Sequence, residues 1–400
     1  MTLTVASKRV VASLIAVLLT SMLGACASKR DQNITVLSYA SPYSPGHPFS
    51  VADITWMKWV EEESQGTIHV QPYWSGSILS SESSMAELRH GVADIGLITP
   101  IYARGGTHLI RVQAGFYAGL TTFEQQVALY RCMVSYDSQF NNELHDLVVL
   151  AVQGGNLPGI VTRERAVNTL EDLNGLRLRA PSELLGVLKR FGADPIDMPM
   201  GEVYSALAKG VLDGVVAPPD ALRSLHFGEV AKHFNTIAIP RGAYAARAMG
   251  IKRWNTLTPS QQDLLRRGEK IWEDALAKEL KKANDAGEKA GHDQHMEFSS
   301  MPTGEQEKFL AVYNELAEEN AKHLARFDID GLNTYRYARK VVDQIRNGVA
   351  DCQVNQFSPL VPGNPNALSP FSDAPHRIQT PVTADHRDHV DATATGNIHG

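Results

Sequence analysis

Arg179 is the side chain whose type and position most readily suggest chemistry. It closes the run Leu176-Arg177-Leu178-Arg179-Ala180, where Leu176, Leu178 and Ala180 alternate with the arginines in the period-2 pattern of a strand with one apolar face. Its guanidinium is a planar fork that matches a carboxylate through two parallel hydrogen bonds. The other chemistry-bearing residues fall away when their spacing is tested. His292 with His295, and His386 with His389, could nominate a metal, but neither pair has the HExxH pattern or a cysteine pair beside it, so no metal site is expected. Glu61, Glu62 and Glu63 are consecutive and point around a helix, which reads as a solvated face rather than an acid–base pair. Gly154-Gly155-Asn156-Leu157-Pro158-Gly159 lacks the Lys-Ser/Thr ending of a phosphate loop and the GxGxxG spacing of a dinucleotide site. No GxSxG elbow occurs. No catalytic set and no cofactor are therefore expected, and the glycine-rich run reads as a flexible crossing between lobes.

Residues 170–220 are what would position Arg179. They hold a strand at 176–180, a helix carrying Leu184, Leu185, Leu188 and Phe191 that ends at Gly192, and a strand at 196–198. A helix from Gly201 with Val203, Ala206 and Leu207 inward and a strand at 211–217 complete β-α-β-α-β, the order of a parallel sheet. Ligands of such sheets sit beyond the carboxyl ends of the strands, where Arg179 lies. Residues 34–98 have the same order: strand 34–40, amphipathic helix 49–63, strand 67–74, helix 81–90 and strand 93–98. Between the two units come a helix at 123–140 and an apolar strand at 146–153. Strand signals recur at 236–239 and 245–251. Thr258-Pro259-Ser260 then opens a long helical pattern to about residue 290, which either braces both lobes or breaks near Gly268 or Gly287. A strand at 296–299 and helices at 305–327 and 335–346 follow, and the polar composition from 356 onward predicts a disordered tail.

At 400 residues and 43% hydrophobic, the chain can bury more than one core. A formal charge of −6, with no RNA- or DNA-binding motif, argues against a nucleic-acid partner. Lys8 and Arg9 precede an apolar run at 10–23 that is too short to span a bilayer stably, which makes a secretory signal. Leu23-Gly24-Ala25-Cys26 resembles a bacterial lipobox, implying cleavage before Cys26 and its acylation; the plain alternative is an ordinary signal peptide with a chance cysteine. In an exported chain Cys132 and Cys352 could pair or both remain thiols, and the sequence leaves this open.

Several segments together point to one family. They are Leu173-Asn174-Gly175-Leu176-Arg177-Leu178-Arg179, Phe191-Gly192-Ala193-Asp194-Pro195, Met198, Glu202-Val203-Tyr204-Ser205-Ala206-Leu207 and Gly210-Val211-Leu212-Asp213-Gly214, with further support from residues 66–96. In order and spacing they resemble the DctP-type extracytoplasmic solute receptors of TRAP transporters, over roughly residues 34–350. The fold expected from pattern and resemblance together is α/β, a two-lobed periplasmic-binding-protein-like clamshell with a hinge and a long helix spanning both lobes. Its expected parts are a lipoprotein signal peptide at 1–25, a tether at 26–33, lobe I at 34–155 plus about 246–288, lobe II at 156–245 plus about 289–352, and the tail at 356–400.

The resemblance implies a monomeric, non-enzymatic receptor. It would bind a small organic acid and deliver it to small and large TRAP membrane subunits, working on the periplasmic or extracellular face of a bacterial membrane with a lipid anchor at Cys26. Arg179 fills the position of the arginine that holds the ligand's carboxylate, and Arg177 would lie deeper on the same strand face as a structural residue. Four departures bear on the ligand. Ala217 stands where sialic-acid-type members carry Asn, and Gly159 falls near the place of a second arginine. Met200 takes a place often aromatic, and Thr99 one often acidic. They imply a cleft suited to a monocarboxylate with an apolar or aromatic body, with Tyr39, Arg104 or Arg241 as possible polar contributors from other loops. The alternative reading is an exported ligand-sensing lipoprotein or an enzyme on the same scaffold.

Overall fold

In the computed structural model, which describes residues 34–103 and 105–348, the period-2 segments are strands and the 3.6-period segments are helices. β1 (Thr35–Ala40), α1 (Pro48–Glu63), β2 (Ile68–Tyr73), α2 (Ser84–Arg89) and β3 (Ile95–Leu97) form the first β-α-β-α-β unit, with β1 parallel to β2 and β3. Pro48 opens α1, where a missing N–H costs nothing, and His47 Nδ1 accepts from the Phe49 N–H at 3.2 Å. α3 (His108–Gln113), α4 (Phe123–Tyr136) and α5 (Gln139–Glu143) lead to β4 (Leu147–Gln153). The single helix expected at 123–140 is two, because Asp137 turns extended and its Oδ1 accepts from the Gln139 N–H at 2.9 Å. Cys132, buried in α4, is disulfide-bonded. The signal segment, Cys26, Arg104, Cys352 and the tail lie outside the described residues.

The chain then builds β5 (Gly159–Thr162), β6 (Arg177–Arg179), α6 (Leu185–Arg190), β7 (Asp194–Ile196), α7 (Met200–Ala208), β8 (Gly214–Ala217), α8 (Asp220–Ser224) and β9 (His233–Thr236). β6 runs parallel to β7 and β8, as expected. β7 lies two residues earlier than predicted, and its Pro195 is tolerated because β7 is the edge strand. β9 likewise precedes the expected 236–239, since its register is set by pairing with β5, while Ile237 and Ile239 are core residues outside the strand. β10 (Tyr244–Gly250) returns to the first sheet, antiparallel to β3 and β4. α9 (Ile251–Trp254), α10 (Pro259–Asp293), β11 (Glu297–Ser300), α11 (Thr303–His323) and α12 (Gly331–Arg346) complete the order. The result is two sheets, β2-β1-β3-β10-β4 in lobe I and β11-β9-β5-β8-β6-β7 in lobe II, each with an apolar core on both faces.

α10 is one unbroken helix of 35 residues, about 52 Å long. Thr258 and Gln261 form a capping box at its start. Its glycines are docking points, not breaks. A Cβ on Gly268 would lie 2.6 Å from Trp56 Nε1 of α1, and one on Gly287 would lie 2.8 Å from Asp220 Cα and closer still to the Pro219 carbonyl oxygen. Their bare backbones let α10 lie against lobe I at one end and lobe II at the other. Gly287→Ala is accordingly expected to destabilise by about 1–3 kcal/mol through overpacking, although Ala is the better helix former by about 1 kcal/mol. Urea denaturation checks this, and a rise in the midpoint would show that the helix can shift off Pro219.

One expected assignment is corrected. α11 packs Phe309 and Tyr313 into the lobe II core, but its Ala317 and Ala321 reach the lobe I core. α12 follows them, burying Ala338, Val341, Val342 and Ile345 with Leu129, Tyr130 and Met133 of α4. The last helix therefore belongs with lobe I, not with the lobe II block expected for 289–352.

Candidate ligand-binding site

A cavity of about 110 Å³ lies between the lobes, on a scale where one water needs roughly 10–15 Å³. Lobe II supplies Arg179 from the carboxyl end of β6, Glu183 from the turn after it, Met200 from the start of α7, and Val216, Pro218 and Asp220 from the end of β8. Lobe I supplies Tyr43, Phe49, Ile101, Tyr102 and Tyr244, and Arg241 comes from the segment crossing between β9 and β10.

Arg179 is 2% exposed. Its Nε donates to the Met198 carbonyl at 2.9 Å and its Nη2 donates across the cleft to the Tyr102 hydroxyl at 2.7 Å. Both partners are neutral, so its positive charge is held in the cavity wall with only longer-range opposition from Glu183 and Asp197. Arg177 sits shallower than Arg179, the reverse of the expectation. Its side chain is 43% exposed, and its Nε and Nη2 grip Asp213 at 3.0 and 2.8 Å while Nη2 also reaches the Gly210 carbonyl at 2.9 Å. The two arginines occupy opposite ends of one short strand, and the cavity is at the carboxyl end.

Of the other residues expected to bind ligand, Met200 lines the cavity and four do not. Ala217 turns into the core beside Leu207 and Phe227, while its neighbours Val216 and Pro218 face the cavity. Gly159 begins β5 under Phe234, where a Cβ would meet Phe234 Cζ at 2.6 Å, and Pro158 lines the cavity instead. Thr99 is buried; its N–H donates to Ser84 Oγ at 3.1 Å and its hydroxyl to the Ser81 carbonyl, fixing the turn that presents Ile101 and Tyr102. Tyr39 is fully buried in lobe I and donates to Asp53 Oδ2 at 2.5 Å.

Arg241, anticipated only as a possible contributor, is the second arginine of the site. Its guanidinium lies over Gly155, where an added Cβ would come within 2.7 Å of Nη2. Gln126 clamps both polar groups of Gly155, accepting from its N–H at 2.8 Å and donating to its carbonyl at 3.0 Å. Gly155 thus serves close approach rather than looseness. Glu183 and Asp220 were missed, although both follow strand ends, the signal that found Arg179.

Burial pushes the Glu183 carboxyl up to about 7 against the pull of a hydrogen bond from its own backbone N–H and of the Arg179 and Arg241 charges, and its Oε2 is sealed from solvent with no hydrogen-bond partner among the described residues. Burial raises Asp220 too, opposed by the Asn156 amide that donates to its Oδ1 at 2.9 Å. His47 is driven down to about 3 by burial and by Arg247, so it is neutral near pH 7. It stacks on Tyr43 at 4.1 Å, with Phe49 edge-on to Tyr43 at 5.3 Å. The cavity therefore joins two guanidinium groups to a flat aromatic wall, an arrangement able to hold an anion attached to an apolar body.

Residues 39–323 match the family described as bacterial extracellular solute-binding protein, family 7, or DctP. The chain belongs to this family. Its members are binding proteins of TRAP transport rather than enzymes. Among curated relatives, a solute-binding protein of Albidiferax ferrireducens is 25% identical over 182 residues, 44% of this chain and 52% of the relative. The chain thus matches about half the length of that relative. Among solved structures, a TRAP solute-binding protein of Rhodoferax ferrireducens T118 with copurified benzoate superposes with a TM-score of 0.72 at 21% identity, covering 79% of this chain and 99% of that one. A marine-metagenome TRAP solute-binding protein described as specific for aromatic acid ligands, in complex with 3-hydroxybenzoate, gives 0.69 at 21% identity, covering 78% and 98%. In this DctP-family chain the fold of those structures is present, with both sheets and the long helix.

Proposed function

We propose that this protein is the extracytoplasmic receptor of a TRAP transporter, and that it binds a small monocarboxylate with an apolar or aromatic body between its lobes. The observation that carries the reading is Arg179, a buried guanidinium facing the cavity whose only hydrogen-bond partners among the described residues are a carbonyl and a phenol. An anion docked there gains a charge-assisted fork in a partly desolvated site. The Tyr43, His47 and Phe49 wall, neutral and aromatic, favours a flat apolar body. Benzoate and 3-hydroxybenzoate in the two structural neighbours belong to the same chemical class.

The decisive experiment is mass spectrometry of any acid carried through purification, followed by thermal denaturation with that compound. A ligand of the folded state must raise Tm with concentration, by about 2.7 kcal/mol of added stability at a hundredfold excess over Kd. If no organic acid shifts Tm, the reading fails. Delivery to small and large membrane subunits, a monomeric receptor and anchoring through Cys26 belong to the same proposal, the last resting on the Leu23-Gly24-Ala25-Cys26 pattern. Cys26→Ser should move the protein from the membrane to the soluble fraction of lysed cells. Equal membrane retention of the variant would refute the lipid anchor.

A further inference from the structure

Glu183 has no role in gripping a carboxylate, yet it lines the cavity that would hold one. It lies four residues beyond Arg179 on the same wall, in the short turn Ser182–Leu184. Arg241, whose charge also acts on Glu183, donates from Nη1 to the Asn156 carbonyl at 3.5 Å, and other polar groups around Glu183 are engaged. Arg179 donates to Met198 and Tyr102, Asp220 accepts from Asn156, and the Tyr244 hydroxyl accepts from Gln153 Nε2 at 3.1 Å. Tyr313, which approaches Glu183 from α11, directs its hydroxyl to the Ala114 carbonyl at 3.4 Å. Glu183 Oε2 remains a buried acceptor without a donor among the described residues. Such groups are rare, and a site containing one favours a ligand that supplies the missing donor.

We propose that Glu183 is the specificity-determining residue of this cavity, its Oε2 receiving a hydroxyl group of the bound acid, so that the protein takes hydroxylated monocarboxylates in preference to their unsubstituted counterparts. The proposal rests on the carboxylate-receptor reading and refines it. With the ligand's carboxylate at Arg179, its body passes along the wall that carries Glu183. A hydroxyl there completes the hydrogen bonding, whereas a bare ring edge leaves Oε2 orphaned. A second carboxylate there would meet a carboxyl already opposed by Asp197, which disfavours dicarboxylates. A carboxyl poised near 7 accepts from a hydroxyl when ionised and still accepts through one oxygen when protonated.

The test is calorimetric titration of the full chain with benzoate against 3-hydroxybenzoate and phenylacetate against 3-hydroxyphenylacetate, using wild type, Glu183→Ala and Glu183→Gln. Wild type should favour the hydroxylated member by about tenfold to a hundredfold. Glu183→Ala should bring each pair to within about twofold while keeping or improving affinity for the unsubstituted acid, and Glu183→Gln should retain part of the preference through its amide oxygen. Equal binding of both members by wild type, or a preference that survives Glu183→Ala, overturns the proposal. So does a Glu183→Ala protein of unchanged circular dichroism that loses both members equally. Arg179→Ala separates the two levels: if it leaves both members bound as in wild type, the underlying receptor reading fails whatever Glu183 does. Absence of binding by all four acids overturns both.

Discussion

Arg179→Ala is expected to weaken binding of the cognate acid by two to three orders of magnitude while leaving the ligand-free protein folded. Truncating one partner of a buried, hydrogen-bonded charge pair costs about 2–5 kcal/mol, roughly thirtyfold to several thousandfold in Kd. The side chain removed is 2% exposed and makes a hydrogen bond across the cleft to Tyr102. Its loss therefore strips the anion of its fork and also loosens the contact between the two walls. Arg179→Lys should recover little, since an ammonium offers no planar pair of donors and cannot hold the Met198 carbonyl and a carboxylate in the same geometry. Tyr102→Phe, which removes the crossing partner but keeps the guanidinium, should cost less than either arginine change. Calorimetry on the four proteins checks the ranking, and full affinity in Arg179→Ala would refute the carboxylate grip.

Asp53→Ala should be the most destabilising of the changes considered, by about 3–5 kcal/mol, through loss of a buried ion pair. Asp53 and Arg247 are both 0% exposed. Oδ1 receives Arg247 Nε at 2.9 Å and Trp272 Nε1 at 2.7 Å, with Arg247 Nη2 at 2.8 Å, and Oδ2 receives the Tyr39 hydroxyl at 2.5 Å. Arg247 Nη1 also donates to Gln153. Burial pushes the Asp53 carboxyl up and Arg247 holds it down. The cluster ties α1, β1, β4, β10 and α10 together, so removing Asp53 leaves a bare cation in the middle of five elements. Urea denaturation measures the loss. An Asp53→Leu/Arg247→Met double variant should regain much of it, because the penalty comes from the stranded charge and not from the absence of the pair.

Elements built from local signals were legible in the chain. The two β-α-β-α-β units, the capped start of α10 and the strand end bearing Arg179 all follow from spacing over ten or so residues. The failures have a common physical origin in parity and distance. Val216, Ala217 and Pro218 are neighbours at the end of a strand buried on both faces, where hydrophobicity gives no hint of which side chain faces the cavity; the same one-residue ambiguity separates Pro158 from Gly159. Arg177 and Arg179 share a strand, and only the nonlocal placement of Asp213 and Tyr102 decides which is structural and which faces the cavity. Tyr39 looked like a loop contributor because its partner Asp53 reads as one residue of an ordinary amphipathic helix. The docking of α12 on lobe I joins residues some two hundred positions apart, a pairing that no local window reports.

That docking also places both ends of the described chain in one lobe. β1 opens the described chain and α12 closes it, and both belong to lobe I. Were the chain tethered at Cys26, as proposed, the tether would join lobe I. Among the described residues, lobe II connects to that lobe through the crossing strand connections and the two helices α10 and α11. Arg179 sits on lobe II, so the proposed carboxylate grip belongs to the lobe that holds neither end of the described chain.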